Sequence, residues 1–202
     1  MKKLLHPIYV AFGHIICRFF LIKTKIYDKI HPIETDTVLF VTHPDDDTLF
    51  FHQSIKEYNP YIALMVTGWS IKRLSDFKKT MNYYGVRFRA YDTNENSKKA
   101  KRRIQKQISE VLELKDFKRC LTHNSEGEYG HKNHQLVHNC VVELVDFETF
   151  VPASVHDIEK YPIDVESIKE KEYIFNNFYK TETFVLEQYS VWVNHEKLFR
   201  YE

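Results

Sequence analysis

From residue 36 onward the chain alternates between short apolar runs and longer stretches with helical spacing. "TVLFVT" (37–42) and "YIALMVT" (61–67) are apolar almost throughout, as strands buried on both faces of a parallel sheet must be. "IKRLSDFKKTMNYYG" (71–85) sets Leu74, Phe77 and Met81 on one helical face and ends on Gly85, where a C-cap falls. "VRFRAYD" (86–92) predicts a strand, and "SKKAKRRIQKQISEVLEL" (97–114) a polar helix with Ile104, Ile108, Val111 and Leu112 inward. A short strand around "RCLTHN" (119–124), a helix over about 131–145 and a strand at "TFVPAS" (149–154) follow. A further helix near 166–181 precedes a last aromatic segment. This alternation predicts an α/β fold, Rossmann-like and three-layered, with a mostly parallel central sheet and helices on both faces.

Ahead of residue 36 the pattern differs. "MKKLLHPIYVAFGHIICRFFLIKTK" (1–25) places an apolar stretch between basic flanks. As a helix it puts Leu5, Ile8, Tyr9, Phe12, Ile15, Ile16 and Phe19 on one face, with His6, Gly13, His14, Cys17 and Arg18 opposite. A spanning helix needs about 20 apolar residues, and His6, Pro7, His14 and Arg18 interrupt this one. The amphipathic pattern suits a helix packed on the domain or one lying in a membrane interface, and no clear small-residue cleavage site favours export. Residues 1–35 are therefore expected to form a helical extension and 36–202 a single domain.

Composition narrows the partners. Lys plus Arg (29) against Asp plus Glu (28) leaves a formal charge of +1, so no global field argues for nucleic acid. "KKAKRR" (98–103) reads as a solvated helix face. Cys17, Cys120 and Cys140 are odd in number and lack CxxC spacing, which argues against a disulfide framework and for a reducing, cytoplasmic compartment. The loop after the first domain strand has no glycine fingerprint, so a dinucleotide site has little support.

That loop carries "HPDDD" (43–47) instead, and then returns at once to Leu49, Phe50 and Phe51. Three adjacent carboxylates between apolar flanks repel one another in a poorly hydrated place. Either they cap the following helix or a cation sits among them. Pro44 biases His43 toward extended geometry, so the histidine ends the strand and the acids begin a turn. A second stretch, "THNSEGEYGHKNHQLVH" (122–138), also follows a predicted strand and brings His131 and His134 to one face of a helix start. In open α/β sheets ligands bind beyond the carboxyl ends of the strands, so both clusters are expected at one end of the sheet. Two imidazoles and a carboxylate for one cation favour zinc, or iron(II) or cobalt(II), over magnesium or calcium.

"HPDDD" resembles the HPDDE-type signature of the LmbE-like N-acetylglucosaminyl de-N-acetylases, and "GEYGHKNH" (127–134) resembles their second motif, GHxxH. Arg73 and Asp76, with Gly85–Val86 following, are similar to the family's RxxE helix ending in Gly-Val, and the resemblance extends over about residues 36–150. It implies that His43, Asp46 and His134 hold the metal, that Asp45 is the general base, and that His131 stabilises the oxyanion and protonates the departing amine. Arg73 and Asp92 resemble sugar-contacting positions. The substrate so implied is an N-acetylated amino sugar in a glycoconjugate or glycolipid, and peripheral membrane contact through residues 1–25 would suit a lipid-linked one. Two positions depart from the family pattern. Asp47 stands where Glu is usual, so its supporting contact is expected to be lost or filled by water. Asn133 stands where many bacterial members carry Asp, and an amide cannot raise the basicity of the catalytic histidine electrostatically.

Overall fold

The computed structural model of the 202-residue chain describes residues 18, 19, 21, 22, 31–68, 70–94 and 96–202. The expected N-terminal extension therefore lies almost wholly outside the described residues, of which Arg18, Phe19, Leu21 and Ile22 are helical. Among the described residues no helix is long and apolar enough to cross a membrane.

Alternate residues of a strand point to opposite faces, and here both faces are apolar. In β1 (Thr37–Val41), Leu39 and Val41 enter one hydrophobic layer while Val38 and Phe40 enter the other. The first layer is covered by α1 (Asp46–Tyr58) and α2 (Ile71–Tyr84), which supply Phe50, Phe51, Ile55, Leu74, Phe77 and Met81. The second is covered by α3 (Ala100–Leu112) and, after the four-residue α4 (Gly127–Gly130), by α5 (Lys132–Val142). Each fully buried aliphatic or aromatic side chain contributes roughly 1.5–3 kcal/mol relative to exposure, so burying both faces of every central strand is what holds the layers together. The three-layer α/β expectation holds.

The remaining strands are β2 (Tyr61–Leu64), β3 (Phe88–Ala90), β4 (Arg119–Thr122), β5 (Glu148–Pro152) and β6 (Leu198–Arg200). Their order is β3-β2-β1-β4-β5-β6, parallel except for β6. The order reverses between β1 and β4, which places a topological switch point beside their carboxyl ends. Gly85 is the left-handed C-cap expected for α2 (φ 70°), and Ser70 caps its start by accepting the Arg73 N–H.

The C-terminal quarter differs most from expectation. The helix expected over 166–181, α6 (Val165–Asn177), stops four residues early. The aromatic segment becomes two short helices, α7 (Val185–Gln188) and α8 (Ser190–Asn194), followed by the antiparallel edge strand β6. These pieces return to the first layer, where Trp192 and Val193 pack with Phe175 and Tyr179.

Candidate metal centre

Val41 ends β1, and the next residues turn within a few atoms of one another. The His43 N–H donates to Asp46 Oδ2 at 2.7 Å, and the Asp45 N–H donates to Asp47 Oδ1 at 3.2 Å. Asp45 occupies the N-cap position of α1 by its carbonyl, which accepts from Thr48 and Leu49, but its side chain makes no capping bond. Its φ is 105°, a backbone state rare for a residue with a Cβ and costing on the order of 1–3 kcal/mol. Three acids serving only as caps would need neither the backward bond of Asp46 nor this strain. Capping therefore does not account for the stretch.

His123 and the α4–α5 segment lie opposite, beyond β4. His134, fully buried, points Nδ1 at Glu128 Oε2 (2.6 Å) and Nε2 toward Asp46 Oδ2 (3.3 Å). Asp46 Oδ2 is also 3.6 Å from His43 Nδ1, and the His43 and His134 rings lie 5.5 Å apart. The three expected ligands are thus brought together. Among the described residues two overlapping sets, His43, His131, His134 and Asp46, His123, His134, have donor atoms spaced to hold a metal ion, and His134 belongs to both. His134 Nε2 is buried and has no hydrogen-bond partner among the described residues. With Nδ1 committed to Glu128, that nitrogen is the one left to face an ion, and imidazole nitrogen with carboxylate oxygen is a donor set able to hold a metal ion. The residues fit a metal.

His123 is different. Its Nε2 accepts the Thr42 N–H at 3.0 Å and its Nδ1 lies 3.1 Å from Glu128 Oε2. Although buried, it is pushed up to about 9 by Glu128 and Asp46, but the Thr42 N–H requires a lone pair on Nε2, which favours the neutral ring with its proton on Nδ1. Both nitrogens are then committed, so His123 braces the site. Glu128 holds both rings, and burial opposes its charge while His123 and His134 bring it down to about 2. Its φ of 56° turns the carboxylate back beneath them.

Burial acts on each acid of "HPDDD", with different results. Asp46 lies well below the usual carboxylate range because the His134, His123 and His43 rings outweigh the burial penalty. Asp45 is raised well above it by burial and by the Asp46 charge, with Arg73 opposing. Asp47 is raised to about 6 by burial, against hydrogen bonds from Tyr179 and Thr48. Behind them Phe50 sets its ring against His123 and His134, at 6.1 and 5.9 Å between centroids. The apolar return after the acids is the dry wall of the site.

The other expected site residues fall as follows. His131 lies beside His134 (4.3 Å between rings) and is the N-cap of α5, its Nδ1 accepting the Asn133 N–H. Asn133 thus reaches His131 through its main chain. Arg73 lies 3.8 Å from Asp45 Oδ1, donates to the Pro44 carbonyl at 3.2 Å and pairs with Glu182 at 2.9 Å. Asp92 accepts from Thr67 Oγ1 at 2.6 Å. The expectation for Asp47 is corrected: Tyr179 OH at 2.7 Å, Thr48 Oγ1 at 2.9 Å and the Asp45 N–H fill its bonding, because a tyrosine from beyond α6 reaches the shorter acid. Sequence reasoning passed over His123 and Glu128. One signal was present, since "VTH" (41–43) and "LTH" (121–123) end neighbouring parallel strands in the same way.

Fold and site together define a doubly wound α/β protein whose switch point carries a buried histidine–aspartate cluster able to hold a metal ion. No family model matches the chain. The chain is similar to an uncharacterized protein, L374, of Acanthamoeba polyphaga mimivirus, at 24% identity over 131 residues. That similarity covers 55% of this chain and 58% of the viral protein.

Proposed function

We propose that the protein is a metal-dependent N-deacetylase that hydrolyses the acetamide of an N-acetylated amino sugar, N-acetylglucosamine in a glycoconjugate or glycolipid. The observation that carries the reading is His134 Nε2, buried, without a hydrogen-bond partner among the described residues and 3.3 Å from Asp46, beside a strained Asp45. The sugar comes from the resemblance of "HPDDD" and "GEYGHKNH" to the LmbE-like de-N-acetylases.

His43, Asp46 and His134 would hold zinc, with iron(II) or cobalt(II) as substitutes. Zinc in such a site makes a water acidic enough to be a nucleophile near neutral pH. Asp45 accepts the proton of the attacking water. His131, with Nδ1 accepting from Asn133, carries its proton on Nε2 in the neutral ring, and we assign that N–H to the acetyl oxygen as charge develops there. The proton taken by Asp45 returns through His131, which protonates the departing nitrogen as the C–N bond breaks, releasing acetate and the free amine. Arg73 and Asp92 are assigned to the sugar hydroxyls. We place the protein in the cytoplasm, in peripheral contact with membrane through residues 1–25 when its substrate is lipid-linked, and assign it no nucleic-acid partner.

The test is acetate release by purified protein from simple N-acetylglucosaminides and from lipid-linked ones. The expected result is turnover of at least one, with about one divalent ion per chain and loss of activity in chelator. Full activity in metal-free protein, or no acetate from either substrate class by metal-loaded protein, overturns the reading.

A further inference from the structure

A residue at φ 105° persists only where its surroundings over-determine it, and the groups surrounding Asp45 trace to one turn far along the chain. The Asp45 N–H donates to Asp47 Oδ1, and the same oxygen accepts the hydroxyl of Tyr179 at 2.7 Å. Tyr179 is 1% exposed, so this bond is shielded from competing water. Three residues on, Glu182 donates its N–H to the Tyr179 carbonyl (2.8 Å), which closes the turn, and its carboxylate pairs with Arg73 Nε at 2.9 Å. Arg73 in turn donates to the Pro44 carbonyl and lies 3.8 Å from the Asp45 carboxylate. Lys72 reaches Thr181 in the same turn. One turn thus touches Asp45 by two routes, its backbone through Asp47 and its side chain through Arg73.

We propose that the turn 179–182 is the positioning device of the catalytic base, with Tyr179 and Glu182 as positioning residues that act only through Asp45. The early end of α6 at Asn177 serves this arrangement, because a helix continued to residue 181 would not close the turn that presents both groups. The proposal rests on the deacetylase reading for the role of Asp45, but the mechanical link does not.

Tyr179→Phe keeps the buried ring and removes the hydroxyl. A hydrogen bond to a carboxylate matters enough that kcat is expected to fall roughly 10-fold, with KM and bound metal little changed. Glu182→Gln, on a less buried turn residue, is expected to lower kcat in the same direction, and Glu182→Asp to restore part of it. On an Asp45→Asn background neither Tyr179→Phe nor Glu182→Gln should lower the residual rate further, because nothing is left to position. Hydrogen exchange of the Asp45 amide reads the same link without turnover, and it should quicken in folded Tyr179→Phe.

An unchanged exchange rate in folded Tyr179→Phe overturns the link. If Tyr179→Phe fails to fold, the decision passes to Glu182→Gln: wild-type kcat, or a loss that persists in full on the Asp45→Asn background, overturns the proposal. If Asp45→Asn alone retains wild-type kcat, the deacetylase reading fails instead, and the exchange result still decides the mechanical link.

Discussion

Asp45 and Asp46 carry the same side chain one residue apart, and their carboxyls move in opposite directions. Asp46 sits among three imidazoles and is held ionised, while Asp45 faces the Asp46 charge in a desolvated place and is raised. That division yields a prediction at single residues. Asp45→Asn fills the same space but cannot take a proton, so metal should stay bound while kcat falls about 10²–10⁴-fold. His134→Ala removes the nitrogen that faces Asp46 and should cost the metal itself, read as metal per chain after dialysis. Near wild-type kcat in metal-loaded Asp45→Asn would show that Asp45 is not the base. Strand end, proline turn and helix start placed two histidine–carboxylate clusters at one end of the sheet, and the motif resemblance singled out His43, Asp46 and His134 within them. Glu128 could not be read from sequence, since its place beneath two rings depends on a positive φ in a non-glycine residue, which no local pattern announces.

At the scale of elements, α1 is the piece that carries the acids, and it is not continuous. Phe51 departs from helical geometry (φ −133°, ψ 15°), which separates groups that an unbroken helix pairs with each other. The Leu49 carbonyl accepts from Lys171 Nζ at 3.0 Å, while the Gln53 and Ser54 N–H groups donate to Glu196, each at 3.1 Å. Lys171 and Glu196, 3.3 Å apart and buried, are an ion pair inserted into the helix ladder. Lys171→Met strands the Glu196 charge and should destabilise by about 3–5 kcal/mol. Adding Glu196→Gln, which removes the charge and keeps one oxygen to accept from Ser54 while giving up the acceptor of the Gln53 N–H, should recover part of that loss in urea unfolding. A double variant less stable than Lys171→Met would exclude this role. None of this was legible in the C-terminal sequence. Helices of four and five residues and a three-residue edge strand are too short to leave a period, whereas β1, β2 and α2 were legible because burial repeats along them.

Across the whole molecule, the layer that holds α1, α2 and α6 also contains a polar seam running from the surface to the acids. Glu170, paired with exposed Lys56, lies 3.4 Å from His52 Nε2, and His52 Nδ1 meets Tyr84 OH at 2.8 Å. Tyr84 donates to Thr48, and Thr48 donates to Asp47. His52 is fully buried, and its Nε2 has no hydrogen-bond partner among the described residues. Burial, and then the Lys171 charge, lower its pKa to about 4 against the opposing pull of Glu170. The unfolded chain binds that proton with a pKa near 6.5. Between these values the unfolded state holds the proton and the folded state does not, so acid favours unfolding. The contribution of His52 is complete above about pH 6.5 and lost as pH falls toward 4, amounting to roughly 3 kcal/mol across the window. Other groups titrate in the same range, so the measurement is a difference. Urea unfolding of wild type and of His52→Asn, whose shorter amide can still meet Tyr84, should give a shallower fall in stability between pH 7 and 4.5 for the variant. Parallel pH profiles would mean that His52 takes up its proton in the folded state as readily as in the unfolded chain, and the seam would then be open to acid.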